Sequence, residues 1–170
     1  MPFTPFHFGP AFFIGILFVN QVNMASILLT SVLVDIEPIY CLASDSCPLH
    51  GVFHTYIGAT ALSAISIPLV YFGKKPLQKL SDHLGVRQGY SIKTIALGAM
   101  LGGWSHVFLD SFLYSELMPF WPLMNNNPFT GLLSNATIIV ITVVGFVAGA
   151  ALYFWKLKNL LKAEKTGSQS

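Results

Sequence analysis

The chain has 170 residues, of which 54% are hydrophobic and only 9% are charged. A soluble domain usually carries about 25% charged residues, so this chain has too few charges to cover a surface that faces water. The composition therefore predicts one domain embedded in a lipid bilayer and disfavours a soluble protein with a large apolar core.

The basic residues fall into two blocks. All nine lysines and arginines lie in residues 74–93 or in residues 156–165. Because cytoplasmic segments of membrane proteins are rich in lysine and arginine, we expect both blocks to face the cytoplasm. The sequence thus predicts an integral protein of the cell (inner) membrane, with one membrane domain over residues 1–155 and a basic cytoplasmic tail over residues 156–170.

Four apolar stretches follow one another along the chain. The first, residues 11–34, is interrupted by polar residues at 20–23, so it forms either a single span or a hairpin of two short helices. The hairpin returns Asp35 to the side of His7, whereas a single span separates them by about 40 Å. The other three stretches are long enough to span a bilayer: residues 55–73, 91–114 and 132–155. The prediction is an all-α polytopic helical bundle with three full spans plus an N-terminal helical hairpin, or with four full spans.

Three connecting segments separate these stretches. Residues 35–56 predict a polar loop, residues 74–91 a basic connection, and residues 115–131 a proline-rich loop. Cys41 and Cys47 both lie in the first loop, where they form a disulfide if the loop faces an oxidising space and remain free thiols otherwise.

The acidic residues and histidines gather away from the lysines. Eight of them fall in or next to the two segments that we expect on the opposite side of the membrane: Asp35, Glu37, Asp45, His50, His54, His106, Asp110 and Glu116. Structural residues would not be expected to sort in this way. Ionisable groups in or beside a bilayer are functional candidates, because burying them without partners costs several kcal/mol or more.

Two pairs of these residues have a spacing suited to a metal ion. His106 and Asp110 are four residues apart in an apolar stretch, which puts both on one face of a helix. His50 and His54 have the same spacing, and Gly51 between them leaves room for a close approach. Each pair alone is also compatible with ordinary packing or hydrogen bonding.

A third pair is acidic. Asp35 and Glu37 would point to one side of an extended backbone, a conformation that Pro38 favours for the residue before it. The same residues could simply cap and turn the chain. Imidazole and carboxylate ligands together suit zinc, manganese or iron, so the three pairs together predict a metal site at one face of the membrane.

The order of these motifs resembles that of the YdjM-like membrane-bound metal-dependent hydrolases. The corresponding parts here are an early histidine, an acidic motif, a histidine motif, a Ser-His-x-x-x-Asp helix and an aromatic Pro-rich segment: His7, Asp35-Ile36-Glu37-Pro38, His50-Gly51-Val52-Phe53-His54-Thr55, Ser105-His106-Val107-Phe108-Leu109-Asp110 and Pro119-Phe120-Trp121-Pro122. The chain departs from the family pattern in its second acidic position, Glu37, and in the missing histidine that follows it. The histidine motif also lacks its arginine, and its two histidines are one residue closer. The motif order is also similar to that of zinc-dependent phospholipases C.

The resemblance implies a membrane-embedded hydrolase that uses a metal-activated water on phosphoesters or lipid-like substrates. Zinc is the expected ion, with manganese or iron as alternatives. The metal ligands are expected among seven residues: His7, Asp35, Glu37, His50, His54, His106 and Asp110. Because a His7 ligand must lie near Asp35, and because the polar residues at 20–23 are unfavourable in the middle of a membrane, the resemblance leads us to favour the hairpin over the single span. Glu37 or Asp110 is expected to be the catalytic base, and Glu116 and Trp121 to line the entrance.

Two other functions use the same residues. They could form a metal- or proton-binding site in a transporter or a partner subunit, or they could only pair with each other in a structural four-helix protein. In either case the expected partner is membrane lipid. The hydrolase adds a small-molecule or lipid substrate, and no nucleic acid is expected.

Overall fold

The computed structural model describes residues 7–44 and 50–167, with side chains up to residue 161. The described residues form helices and loops and contain no strand. The helices, in chain order, are α1 (Phe8–Leu17), α2 (Met24–Val34), α3 (Ile36–Ser44), α4 (Tyr56–Phe72), α5 (Lys74–His83), α6 (Ile92–Leu113) and α7 (Asn135–Gly167). A short 3₁₀ turn, Val52–His54, precedes α4.

Three helical segments are long and apolar enough to cross a membrane: Met24–Ser44, Ile92–Leu113 and Asn135–Leu161. The first joins α2 and α3 across Asp35. Helix α4 passes the same test only together with α5, from which it is bent by 77°. Many apolar side chains of α7 point outward, such as Val143 and Val147. This surface fits a membrane protein and confirms the predicted all-α helical bundle.

The N-terminal apolar stretch is a hairpin, as predicted. Helices α1 and α2 pack against each other, and the polar residues between them form the tip. Asn23 explains the polar interruption, because its side chain caps Ser26 N at 3.0 Å and donates to Gly89 O at 2.8 Å. Its backbone N–H donates to Thr94 O at 2.9 Å. The tip is therefore tied to the segment that leads into α6.

Helix α6 is central and packs closely on two neighbours through glycines. A Cβ at Gly102 would collide with the backbone of Ile27 in α2. A Cβ at Gly103 would lie 3.2 Å from both Ala59 in α4 and Thr30 in α2. Small residues of this kind let helix backbones approach each other in membranes. The close approach fixes the depth of α6 relative to α2 and α4.

The last helix packs against the first. Helix α1 is only 10 residues long, and it makes its most extensive contacts with α7. Gly145 of α7 lies against Gly9 and Pro10, and a Cβ at Gly149 would lie 2.6 Å from the ring of Phe12. The small-xxx-small spacing of these two glycines therefore serves helix packing.

Two segments predicted as connections contain helices. Residues 36–44 form α3 instead of the first part of a loop, and Glu37 is helical instead of extended. Pro38 is compatible with this helix because it lies in the first turn, where a missing N–H is tolerated. Residues 74–83 likewise form α5. Cys41, at the buried side of α3, is in a disulfide, and the remaining cysteine, Cys47, lies outside the described residues.

The bundle has two chemically different ends. The end of α1, the segment after α5 and the last part of α7 lie together, since Tyr153 Oη donates to Leu84 O at 2.7 Å and Lys156 Nζ donates to Ile16 O at 2.6 Å. We call this the lysine end, because it contains both basic blocks. The histidine end is opposite and contains His7, His50, His54 and His106.

The Gly102→Ala variant should be less stable by about 1–3 kcal/mol, because its Cβ must push α6 away from Ile27. Thermal unfolding in mild detergent measures the change. Leu101→Ala is the control, since that neighbouring side chain is 39% exposed and faces outward. An unfolding temperature of Gly102→Ala at or above that of the unmodified chain would show that the close packing is unnecessary.

Candidate metal centre

Four buried side chains from three parts of the fold converge at the histidine end. Asp35 lies at the junction of α2 and α3, and His54 ends the 3₁₀ turn before α4. His106 and Asp110 lie one turn apart on α6. One nitrogen or carboxylate oxygen from each residue can be chosen so that all four atoms lie within 4.8 Å of one another. This group can hold a metal ion.

The nitrogens and oxygens alternate around the centre. His106 Nε2 is 3.2 Å from Asp110 Oδ2 and 3.4 Å from Asp35 Oδ1. His54 Nε2 is 3.6 Å and 3.9 Å from the same two oxygens. Ligand atoms about 2.1 Å from a metal ion in tetrahedral geometry lie about 3.4 Å apart. The observed distances therefore fit atoms that share one ion.

Hydrogen bonds do not account for these close contacts. Nε2 of His54, both ring nitrogens of His106 and Oδ1 of Asp110 are buried and have no hydrogen bond within the described part of the chain. The side chains of His54 and His106 are 1% and 0% exposed. Leaving such groups unsatisfied costs about 1–3 kcal/mol each, and a divalent cation bound among them would remove that cost.

His7 lies against the same group. Its Nε2 is 3.2 Å from Asp110 Oδ1, and its ring stacks on His106 with 4.0 Å between centroids. The N-terminal hairpin therefore brings His7 to the predicted site. His7 contacts Oδ1 of Asp110, whereas His106 contacts Oδ2. His7 therefore lies beside the four-residue group, next to Asp110.

Glu37 contacts the His54 ring on the side that faces away from the centre. Its Oε2 is 3.4 Å from His54 Nδ1, while His54 Nε2 faces the centre. The same oxygen accepts hydrogen bonds from the N–H groups of Gly51 and Phe53, at 3.0 and 3.2 Å. Gly51 is needed here because a Cβ would collide with the carboxylate. A carboxylate on the second nitrogen of a histidine fixes its tautomer and orientation, as is usual around metal sites.

His50 lies next to His54 but pairs with a different residue. Its ring is 4.9 Å from that of His54, and its Nδ1 is 3.1 Å from Glu116 Oε1. Burial, reinforced by His54, lowers the pKa of His50 below 6.5, so His50 is neutral at pH 7. The Glu116 side chain is 59% exposed, so this pair marks the edge of the site that water reaches.

Tyr114 is the site residue that sequence reasoning missed. Its ring lies 3.9 Å from that of His50. Burial, with nearby carboxylates including Asp110, raises the pKa of Tyr114 to about 12, so its hydroxyl stays protonated and can donate a hydrogen bond. Its position four residues after Asp110, at the C-terminal end of α6, was the available signal.

The proline-rich segment 115–131 folds back over the end of α6. Asn127 holds it there, because its amide donates to Ser111 O and Tyr114 O, both at 2.8 Å. The backbone N–H of Tyr56 donates to Pro119 O at 2.9 Å. Asn127 thus has a structural role, and Trp121 lies partly exposed on this segment.

No family model, curated protein or solved structure matches the chain. The resemblance to membrane-bound hydrolases stays a prediction, and the chemistry of the site must be argued from its geometry.

The variants His106→Ala and Asp110→Ala should each weaken metal binding by more than about 100-fold, because each removes a donor from the centre. Metal content after purification in mild detergent, followed by competition with a chelator, measures the effect. His83→Ala is the matched control, since that exposed histidine lies on α5 at the lysine end. Equal metal content in both variants and the control would contradict the metal centre.

The variant Glu37→Gln should weaken metal binding by about 10–100-fold, because an amide cannot support the donor nitrogen of His54 as a carboxylate does. The same chelator competition measures it. Glu116→Gln, which removes the charge of an exposed carboxylate on His50, should change the affinity by less than about threefold. Similar affinities for these two variants would show that Glu37 has no orienting role.

Proposed function

We propose that the protein is a membrane-embedded, metal-dependent hydrolase that acts on phosphoesters or lipid-like substrates. The observation behind the proposal is the buried group of Asp35, His54, His106 and Asp110, in which Nε2 of His54 and both ring nitrogens of His106 have no hydrogen bond among the described residues. Such a mixed nitrogen and oxygen set suits zinc, and also manganese or iron. A divalent ion held by Asp35, His54, His106 and Asp110 would lower the pKa of a water and so supply a nucleophile at neutral pH.

Asp110 is suited to take the proton from that water. Its Oδ2 faces His54 and His106, and its Oδ1 lies 3.2 Å from His7 Nε2. A carboxylate with one oxygen turned to the centre and the other to an imidazole can pass a proton on to that imidazole. In phosphoester cleavage, the water oxygen bonds to phosphorus, the bond to the leaving oxygen breaks, and that oxygen takes up a proton from solvent.

Glu37 has a different role in this proposal. Its carboxylate contacts His54 Nδ1 and two backbone N–H groups, so its lone pairs are already used on the far side of the ring. We assign it the orientation of His54 and leave the base function to Asp110.

The edge formed by His50, Tyr114 and Glu116 is the side from which a substrate would approach. A neutral imidazole and a protonated phenol can both donate hydrogen bonds to phosphoryl oxygens. The lysine end would face the cytoplasm by the positive-inside rule, so the centre would face the opposite compartment. The outward-facing Trp121 suits the interface between lipid and water there.

Burial of the donor atoms favours a second candidate function, in which the protein binds a metal ion but catalyses no reaction. Structural metal sites are closed, and the side chains of His54, His106 and Asp110 are all at most 4% exposed. An ion there would join α2, α4 and α6, as in a transporter or a partner subunit that binds a metal or protons.

Hydrolysis by the purified, metal-loaded chain distinguishes the two. We expect cleavage of a chromogenic phosphodiester or of phospholipid in mixed micelles, loss of cleavage with a chelator, and recovery when the metal is returned. Asp110→Asn should lower kcat by about 10²–10⁴-fold, the usual contribution of a general base. His83→Ala should keep full activity.

A chain that binds metal, loses it in His106→Ala and cleaves none of these substrates would contradict the hydrolase and support the closed metal site. Cleavage that persists in Asp110→Asn with bound metal would instead remove Asp110 from the reaction.

A further inference from the structure

The lysine end contains a pocket, far from the histidines, that the proposed function does not use. A cavity of about 460 Å³ opens between the end of α1, the loop after α5 and the last part of α7. This volume is in the usual range for small-molecule sites. Its walls combine apolar side chains, such as Ile16 and Leu157, with two cationic ones, Arg87 and Lys156. No acidic side chain is among the described residues that line it.

The length of α7 would place the cavity at the level where a bilayer meets water. Lys156 is 21 residues after Asn135, the first residue of α7, which places it about 30 Å along the helix. That distance equals the usual thickness of the hydrocarbon layer, about 30 Å. Trp155 and Tyr153 at the same level are residues typical of the membrane interface.

Lys156 is positioned to bind an anion. Its ammonium group donates one hydrogen bond, to Ile16 O at 2.6 Å, which holds it at the wall shared by α1 and α7. An ammonium has three N–H donors, so this bond leaves capacity for an anionic oxygen. The amide groups of Asn20 and Asn159, also in the wall, can donate to the rest of a polar headgroup.

We propose that this cavity binds an anionic phospholipid of the leaflet at the lysine end, with its phosphate between Arg87 and Lys156 and an acyl chain along the apolar wall. Charge complementarity selects the ligand, because basic pockets between membrane helices on the cytoplasmic side bind acidic headgroups. The apolar lining selects a lipid over a soluble phosphate. This inference is independent of the proposed function at the histidine end.

The experiment uses the full chain, purified and delipidated in neutral detergent, with phosphatidylglycerol added as the probe. Phosphatidylglycerol should raise the unfolding temperature with saturation, while phosphatidylcholine and soluble glycerol phosphate should not. Lys156→Gln and Arg87→Gln should each weaken the apparent affinity by about fivefold. Lys158→Gln is the control, since this exposed lysine lies on the same helix outside the cavity, and its effect should be less than twofold.

Because Lys156→Gln also loses the bond to Ile16, its folding is checked by monodisperse elution, and Lys156→Arg should restore lipid binding. If Lys156→Gln does not fold, the proposal is tested by comparing the phosphatidylglycerol affinity of Arg87→Gln with that of Lys158→Gln. If the cavity variants and the control variant lose the same amount of lipid affinity, the proposal is overturned, because the acidic headgroup would then be attracted to any lysine or arginine at this end. Equal stabilisation by phosphatidylcholine or by glycerol phosphate would overturn it as well.

Discussion

Two carboxylates buried among apolar helices are stable only if positive charge comes with them. Asp35 and Asp110 are two such carboxylates at the histidine end, and three parts of the fold place imidazoles beside them. The 3₁₀ turn places His54 there, α6 places His106, and the N-terminal hairpin places His7 next to Asp110. Nε2 of His54 and both ring nitrogens of His106 lie near the carboxylates but have no hydrogen bond within the described part of the chain, and a cation bound among them would satisfy the nitrogens that face it.

Helix packing sets the precision of this arrangement. Gly102 and Gly103 lie just one turn before His106, so the contact that fixes α6 against α2 and α4 also fixes the donor atoms. Coordination tolerates errors of only a few tenths of an ångström. A close backbone contact is stiffer than one between long side chains, and it is therefore a suitable support for a metal centre.

The apolar stretches and the placement of charge predicted the bundle and the residues that gather at its histidine end. The hairpin was favoured by the family resemblance together with the polar residues at 20–23, and in the structure the buried Asn23 has its hydrogen-bond partners at the hairpin tip. The local conformation around Glu37 was predicted wrongly, since Pro38 is as compatible with a first helical turn as with an extended chain. Which of His50 and His54 faces the centre could not be predicted, because the choice depends on Glu37 folding back over Gly51.

The packing of α1 on α7 has a consequence for biosynthesis. With 10 residues, α1 is about 15 Å long and cannot hold a transmembrane position by itself. Its main neighbour emerges from the ribosome more than a hundred residues later, since α7 begins at Asn135. Helices α2, α4 and α6 can associate before that. Helix α1 is thus synthesised well before its main packing partner, so the place of His7 beside Asp110 depends on a helix that is made more than a hundred residues later.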